Sequence, residues 1–85
     1  AAVGAAAARG ARAVLNVGVL GASGRLGRLI AARVLDDPGM TLSLALGRAN
    51  GPDIGILAGR GPTGTTVTAL NDADLSALDV LIDVS

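Results

Sequence analysis

Gly21, Gly24 and Gly27 fall at every third residue of the stretch GASGRLG, directly after the apolar run Val14 to Leu20 (VLNVGVL). Glycines spaced this way suit a turn that receives a phosphate. Gly21 lets the chain bend sharply off an extended run, where positive φ is expected. Gly24 carries no Cβ, so an anionic group can approach the main chain. Gly27 lies on the apolar side of the segment that follows and lets that segment pack closely. A helix opening here directs free N–H groups and the positive end of its dipole at the same anion. The pattern is G-x-x-G-x-x-G; against the commoner G-x-G-x-x-G, Ser23 takes the slot of the middle glycine. A tight structural turn is the competing explanation in a chain with 13 Gly. The strand before it and the helix after it favour phosphate.

Few other residues offer chemistry. The 85 residues include seven Arg and seven Asp but no Lys, Glu, His, Cys or aromatic residue, and the formal net charge is zero. Without Cys there is no disulfide, no thiolate nucleophile and no Cys-rich zinc site. Without His the commonest general base and metal ligand is missing. No catalytic and no metal-binding residue is therefore nominated. Neutral charge, the lack of a basic run and the lack of a ring to stack on a base argue against nucleic acid as a partner. No apolar run approaches the roughly 20 residues that cross a bilayer, so no membrane span is expected.

The remaining candidates lie at strand ends. In a dinucleotide-binding sheet the end of the second strand faces the adenosine ribose, and an acid there holds the ribose hydroxyls. Here that strand ends in Leu46-Gly47-Arg48, and the nearest acid is Asp53. Arg48 is placed to pair with a 2′-phosphate through two charge-assisted hydrogen bonds, the alternative being a solvated loop arginine. Arg25, at the helix start, is a second candidate for phosphate, or else a solvent-facing helix residue. Asp83 and Ser85 end the last strand, on the edge where open α/β sheets bind ligands, although polar residues there more often support loops. Asp36-Asp37 sits at a helix C-terminus, poor for anions, and reads as solvated surface. Asp72 and Asp74 read as cap and turn residues.

The elements that must position these residues follow from periodicity. Val14–Leu20 is apolar on both faces, which suits an interior parallel strand. Arg25 to Asp37 reads as a helix. At 100° per residue Leu26, Gly27, Ile30, Ala31 and Val34 fall on one side, Arg25, Arg28, Arg33 and Asp36 on the other, and Leu29 between them. Pro38-Gly39 stops the helix. Further strands are expected at Thr41–Leu46, Thr65–Leu70 and Asp79–Val84. A Gly- and Pro-rich loop over 47–64 has one helical turn near Ile54–Ala58, and a short helix or turn covers Asn71–Leu78. This alternation predicts an α/β fold: a Rossmann-type parallel sheet, truncated to about four strands with one main helix. Residues 14–85 form this partial dinucleotide-binding domain. Residues 1–13, rich in Ala and Arg and free of acids, read as a disordered or frayed extension, with a targeting peptide as the alternative. A core this small, with only aliphatic side chains, predicts marginal stability. The Ala1 start and the apolar ending suggest a piece of something longer.

The runs VGVLGASGRLGRLI, LALGR, ILAGRGPTGTTVT and DVLIDVS, in that order, resemble the amino-terminal part of the 4-hydroxy-tetrahydrodipicolinate reductase family over about residues 14–85. The specificity lies in Gly24 to Gly27 joined to Leu57 to Gly64 and the Ile-Asp-x-Ser ending. The resemblance implies an oxidoreductase that uses NAD(P)H on the diaminopimelate route of lysine biosynthesis. It implies that Gly21, Ala22, Ser23, Gly24, Arg25 and Leu26 wrap the cofactor pyrophosphate. Gly47 replaces an acid that holds the ribose. Arg48 stands where a basic residue meets the 2′-phosphate of NADP, so NADPH is expected over NADH. Ser85 matches a Thr near the nicotinamide, and Val84 replaces a Phe. The dicarboxylate substrate would be met by a C-terminal domain absent from these residues, leaving this part inactive alone; the parent would be a cytoplasmic homo-oligomer. Two alternatives stay open: another reductase with this turn, such as an aspartate-semialdehyde dehydrogenase, or a non-catalytic nucleotide- or CoA-binding module.

Overall fold

The computed structural model describes residues 14–85; the expectation for residues 1–13 lies outside the described residues. The elements in chain order are β1 (Leu15–Leu20), α1 (Arg25–Asp36), β2 (Met40–Gly47), α2 (Ile54–Leu57), β3 (Val67–Ala69), a 3-10 turn (Leu70–Asp72) and β4 (Val80–Asp83). The four strands form one sheet in the order β3-β2-β1-β4, and every pairing is parallel. This is the Rossmann-type α/β arrangement. The chain leaves β1 toward β2 and β3, then crosses back to place β4 on β1's other side. The order thus reverses at β1, and ligands of open α/β sheets bind outside the strand ends at such a point.

β1 is central because its sequence is buried on both faces. Leu15, Val17 and Val19 enter the core with Ala31 and Val34 of α1 and with Leu42 and Ala45 of β2. Gly18 faces the other way, and a Cβ there would lie 2.6 Å from Leu78 Cδ1. β4 is tied to β1 at both ends. Asp79 Oδ2 accepts from Asn16 N–H at 2.7 Å, and Val84 N–H donates to Leu20 O at 2.9 Å.

The helix stripe is narrower than its periodicity predicts. Gly27, Ala31, Ala32 and Val34 are buried, but Leu26 is 53% exposed and Leu29 59% exposed. Leu26 therefore does not join the apolar face assigned to it. It stands 100° to the side of Gly27, and Gly27 is the residue that meets the turn. Nor is the Asp36-Asp37 pair merely solvated: Asp36 takes two hydrogen bonds from Arg60, at 2.7 and 2.8 Å, which fasten the end of α1 to the segment after α2. Asp37 Oδ1 accepts from Gly39 N–H at 2.8 Å and closes the turn into β2.

The loop after β2 is more ordered than its glycines and prolines suggest. It turns back along the edge of β3 that β2 leaves free. Gly51 N–H donates to Val67 O at 2.8 Å, Val67 N–H to Pro52 O at 3.0 Å and Ile54 N–H to Thr65 O at 2.8 Å. Asp53 holds this loop together. Its carboxylate caps α2 through Gly55 N–H (2.7 Å). It also accepts from Thr63 N–H and Oγ1 and from Gly64 N–H at 2.7–3.0 Å. Desolvation pushes this carboxyl up, but the bonds from Gly64, Thr63 and Gly55 together outweigh it and hold its pKa below the usual aspartate range. A lowered folded-state pKa means that the contribution to stability is present above the unfolded value. It is lost as pH falls through the lowered one. Asp53→Asn is accordingly expected to melt below the parent chain at neutral pH. The gap in melting temperature should close as pH drops below about 3.9; a gap independent of pH would refute this role.

Candidate functional site

A cleft of about 690 Å³ opens at the carboxyl ends of the strands. All four strand ends contribute: Leu20 and Gly21 after β1, Gly47 and Arg48 after β2, Val67 and Leu70 around β3, and Val84 and Ser85 after β4. The volume lies in the range of small-molecule and cofactor sites.

The glycine turn forms one wall. Gly21 has φ +86°, and a Cβ there would sit 2.9 Å from Ser85 Cα and N. It is glycine for both reasons, conformation and the close passage of the chain after β4. Gly27 lies so close to the turn that a Cβ would overlap Gly21 O and stand 2.6 Å from Gly21 C and 2.7 Å from Ala22 Cα. At Gly27 the helix packs on the turn itself. Gly24 is different. It has φ −75°, open to any residue, and a Cβ would meet only Gly21 O at 3.4 Å. Nothing among the described residues requires glycine at 24, whereas a ligand approaching the main chain would.

Hydrogen bonds separate the donors of this turn into two sets. Gly21 and Ala22 N–H both donate to Leu46 O (2.9 and 3.0 Å), and Gly24 N–H donates to Gly21 O (3.1 Å). The first two brace the turn against β2, and the third closes the turn on itself. The N–H groups of Ser23, Arg25, Leu26 and Gly27 have no acceptor among the described residues. They belong to the opening of α1, whose N-cap, Gly24, offers no side-chain bond. Free amides at a helix start are a ready anion site, so the residues present fit a phosphate-bearing cofactor.

The structure therefore sorts the expected site residues. Gly21, Ser23, Gly24, Arg48 and Ser85 line the cleft. Ala22 does not, because its side chain is fully buried in the core and its N–H is engaged. Arg25 and Leu26 do not line it either. Arg25 borders a separate shallow groove with Arg28, Leu29 and Arg60, and what Arg25 and Leu26 offer at the helix start is their unengaged main-chain N–H groups. Arg48 is exposed and has no carboxylate partner among the described residues. Ser85 reaches the cleft, but its hydroxyl donates to Asp83 Oδ1 at 2.6 Å. That bond, with the Ser85 N–H, holds the Asp83 carboxyl below its usual range. Asp83 thus supports the strand end, and Asp53 is occupied by its own loop. Asp74 takes Ser76 N–H at 2.9 Å, as a turn residue does.

Gly47 is buried at the cleft wall; a Cβ there would press on Val67 Cγ1 at 3.1 Å and stand 3.7 Å from Ser23 Oγ. Its lack of a side chain keeps the space between the glycine turn and Arg48 open. Sequence reasoning missed Asn50 and Leu70, which also line the cleft. The Asn-Gly pair after β2 was a visible turn signal, and Leu70 carried none. No group of three or more potential metal ligands occurs among the described residues, and no helix there is long and apolar enough to cross a membrane.

Residues 15–85 match the family model described as dihydrodipicolinate reductase, N-terminus. The chain is similar to the 4-hydroxy-tetrahydrodipicolinate reductase of Pseudoalteromonas atlantica, 41% identical over 72 residues, covering 80% of this chain and 27% of that protein. The reductase of Cupriavidus taiwanensis is 44% identical over 73 residues, covering 81% and 27%. That of Bordetella parapertussis is 44% identical over 71 residues, covering 80% and 26%. The chain thus spans about a quarter of the length of the curated relatives it matches. With the glycine turn, the strand order and the family model in agreement, the chain belongs to the dihydrodipicolinate reductase family, within its N-terminal region.

Proposed function

We propose that the cleft binds NADPH, in preference to NADH, as the cofactor-binding part of a 4-hydroxy-tetrahydrodipicolinate reductase. The observation that carries this reading is the set of unengaged amides at Ser23, Arg25, Leu26 and Gly27 beside a Gly24 whose missing Cβ the chain itself does not require. These amides would hold the pyrophosphate. Arg48, without a carboxylate partner among the described residues and next to a Gly47 that offers no acid, would hold the 2′-phosphate. Ser85 would lie toward the nicotinamide end, positioned through Asp83. When bound, the nicotinamide supplies the hydride. The residues here bind and orient it, and none is placed as a general acid, so this part alone is inactive. The dicarboxylate substrate and the contacts between subunits of a homo-oligomer would belong to the remainder of a longer, cytoplasmic enzyme of lysine biosynthesis by the diaminopimelate route.

Calorimetric titration with NADPH, NADH and CoA tests this directly. NADPH is expected to bind tightest, and a preference for CoA would overturn the assignment in favour of a CoA-binding module. Replacing Arg48 with Ala should weaken NADPH by roughly 1–3 kcal/mol, the range for a charged hydrogen-bonded pair, and leave NADH nearly unchanged. Equal losses for both nucleotides would show that Arg48 does not read the phosphate.

A further inference from the structure

The loop that folds back along β3 ends in an unusual bond. Ala69 N–H, on the same edge of β3 as Val67, donates to the side-chain Oδ1 of Asn50 at 2.8 Å. Gly51 and Pro52 serve Val67 through their main chains, so Asn50 extends that pairing by one step with a side chain. An amide N–H can be met only by the carbonyl oxygen of a carboxamide, which assigns the Asn50 oxygen without ambiguity. The Nδ2 group is what remains. It has no acceptor among the described residues, and the side chain that carries it lines the cleft. Asn50 lies two residues past Arg48, and both line the wall left open by Gly47.

We propose that Asn50 is a specificity-determining residue of this cleft: with its oxygen held by β3, its NH2 group donates to the phosphate on the adenosine 2′ position. This rests on the dinucleotide reading above. A carboxamide clamped through its oxygen keeps both of its N–H donors free. A ribose diol is best held by an acceptor such as a carboxylate, whereas a phosphate is best held by donors. With the acid missing at Gly47, a donor at Asn50 completes a wall suited to an oxyanion. The anchoring is needed because a free Asn rotates and can present either end.

The variant Asn50→Asp separates the two jobs of the side chain. One carboxylate oxygen still accepts from Ala69 N–H, so the loop keeps its place, while the other replaces the donor and repels phosphate. The Kd of NADPH is expected to rise about tenfold or more, as for loss of a charge-assisted hydrogen bond, with NADH affinity unchanged or improved. Retained NADH binding also reports that the variant is folded. Asn50→Ala, which removes the anchor as well, should lower affinity for both nucleotides. An unchanged NADPH-to-NADH ratio in Asn50→Asp, or equal losses for both, would overturn the proposal while leaving the dinucleotide reading intact. A parent chain that binds neither nucleotide would overturn both.

Discussion

Gly24→Val is expected to leave the chain folded and to remove the NADPH affinity proposed above. Each half of this result has its own physical cause. The fold tolerates the change because Gly24 sits at φ −75° and ψ 173°, an extended conformation that a β-branched residue adopts readily. A Cβ there finds only Gly21 O, at 3.4 Å. Gly24 makes no side-chain capping bond, so none is lost. The expected cost in stability is about 1 kcal/mol or less, the range for an unfavourable N-cap residue. Binding is expected to fail because a valine side chain at 24, at the cleft wall beside Ser23, would keep a pyrophosphate from approaching the main chain of the turn. Loss of two charge-assisted bonds, at roughly 1.5–3 kcal/mol each, weakens NADPH by about two orders of magnitude or more. Calorimetry and a thermal melt of the same sample provide both readouts. Unchanged NADPH affinity in a folded variant would remove the turn from the site. NADH should fall equally, because the pyrophosphate is common to both nucleotides, and this sets the variant apart from Arg48→Ala.

The local elements of this fold and its parallel α/β class were legible in the sequence, and the particular contacts between distant segments were not. The G-x-x-G-x-x-G turn, the strand before it and the helix after it are local, and periodicity placed β1 and α1 to within a residue. The short strands were harder: β3 covers only Val67–Ala69 within the expected Thr65–Leu70, because the preceding residues bond to the returning loop. At the site, the family resemblance assigned all six consecutive residues from Gly21 to Leu26 to the pyrophosphate. They divide because one carbonyl, Leu46 O on β2, takes two of their amides, and no spacing rule reveals an acceptor contributed by another strand. Arg25 and Leu26 lie outside the cleft lining for a geometric reason. A helix start aims its N–H groups along its axis, while its side chains project sideways. Asn50 and Asp53 were unreadable in the same way. Both sit in a segment whose composition signals a loop, and their roles arise only when that loop lies against β3 and residues 63–64.

Gly27→Ala is expected to be far more damaging than Gly24→Ala, although the two glycines are three residues apart in one turn. At position 27 the added methyl would overlap Gly21 O and stand 2.7 Å or less from Gly21 C and Ala22 Cα. All of these are main-chain atoms, so no side chain can rotate away. The turn cannot retreat as a unit either: Gly21 and Ala22 are bonded to Leu46 O, and Gly21 is packed against Ser85 on its other side. The helix must then lift from the turn, which opens the packing of Ala31 and Val34 against β1. Overpacking typically costs about 1–3 kcal/mol and occasionally more; the rigid surroundings place this substitution at or beyond the upper end. Stability of roughly 0.05–0.15 kcal/mol per residue leaves a small domain little reserve against such a loss. The better intrinsic helix propensity of Ala, worth up to about 1 kcal/mol over Gly, acts in the opposite direction and is too small to compensate. Denaturant midpoints for the two single variants provide the comparison. Gly24→Ala should stay within about 1 kcal/mol of the parent chain, and Gly27→Ala should lose most of the folding transition. Similar midpoints for both would mean that the helix and turn are not in the contact on which the placement of the free amides depends.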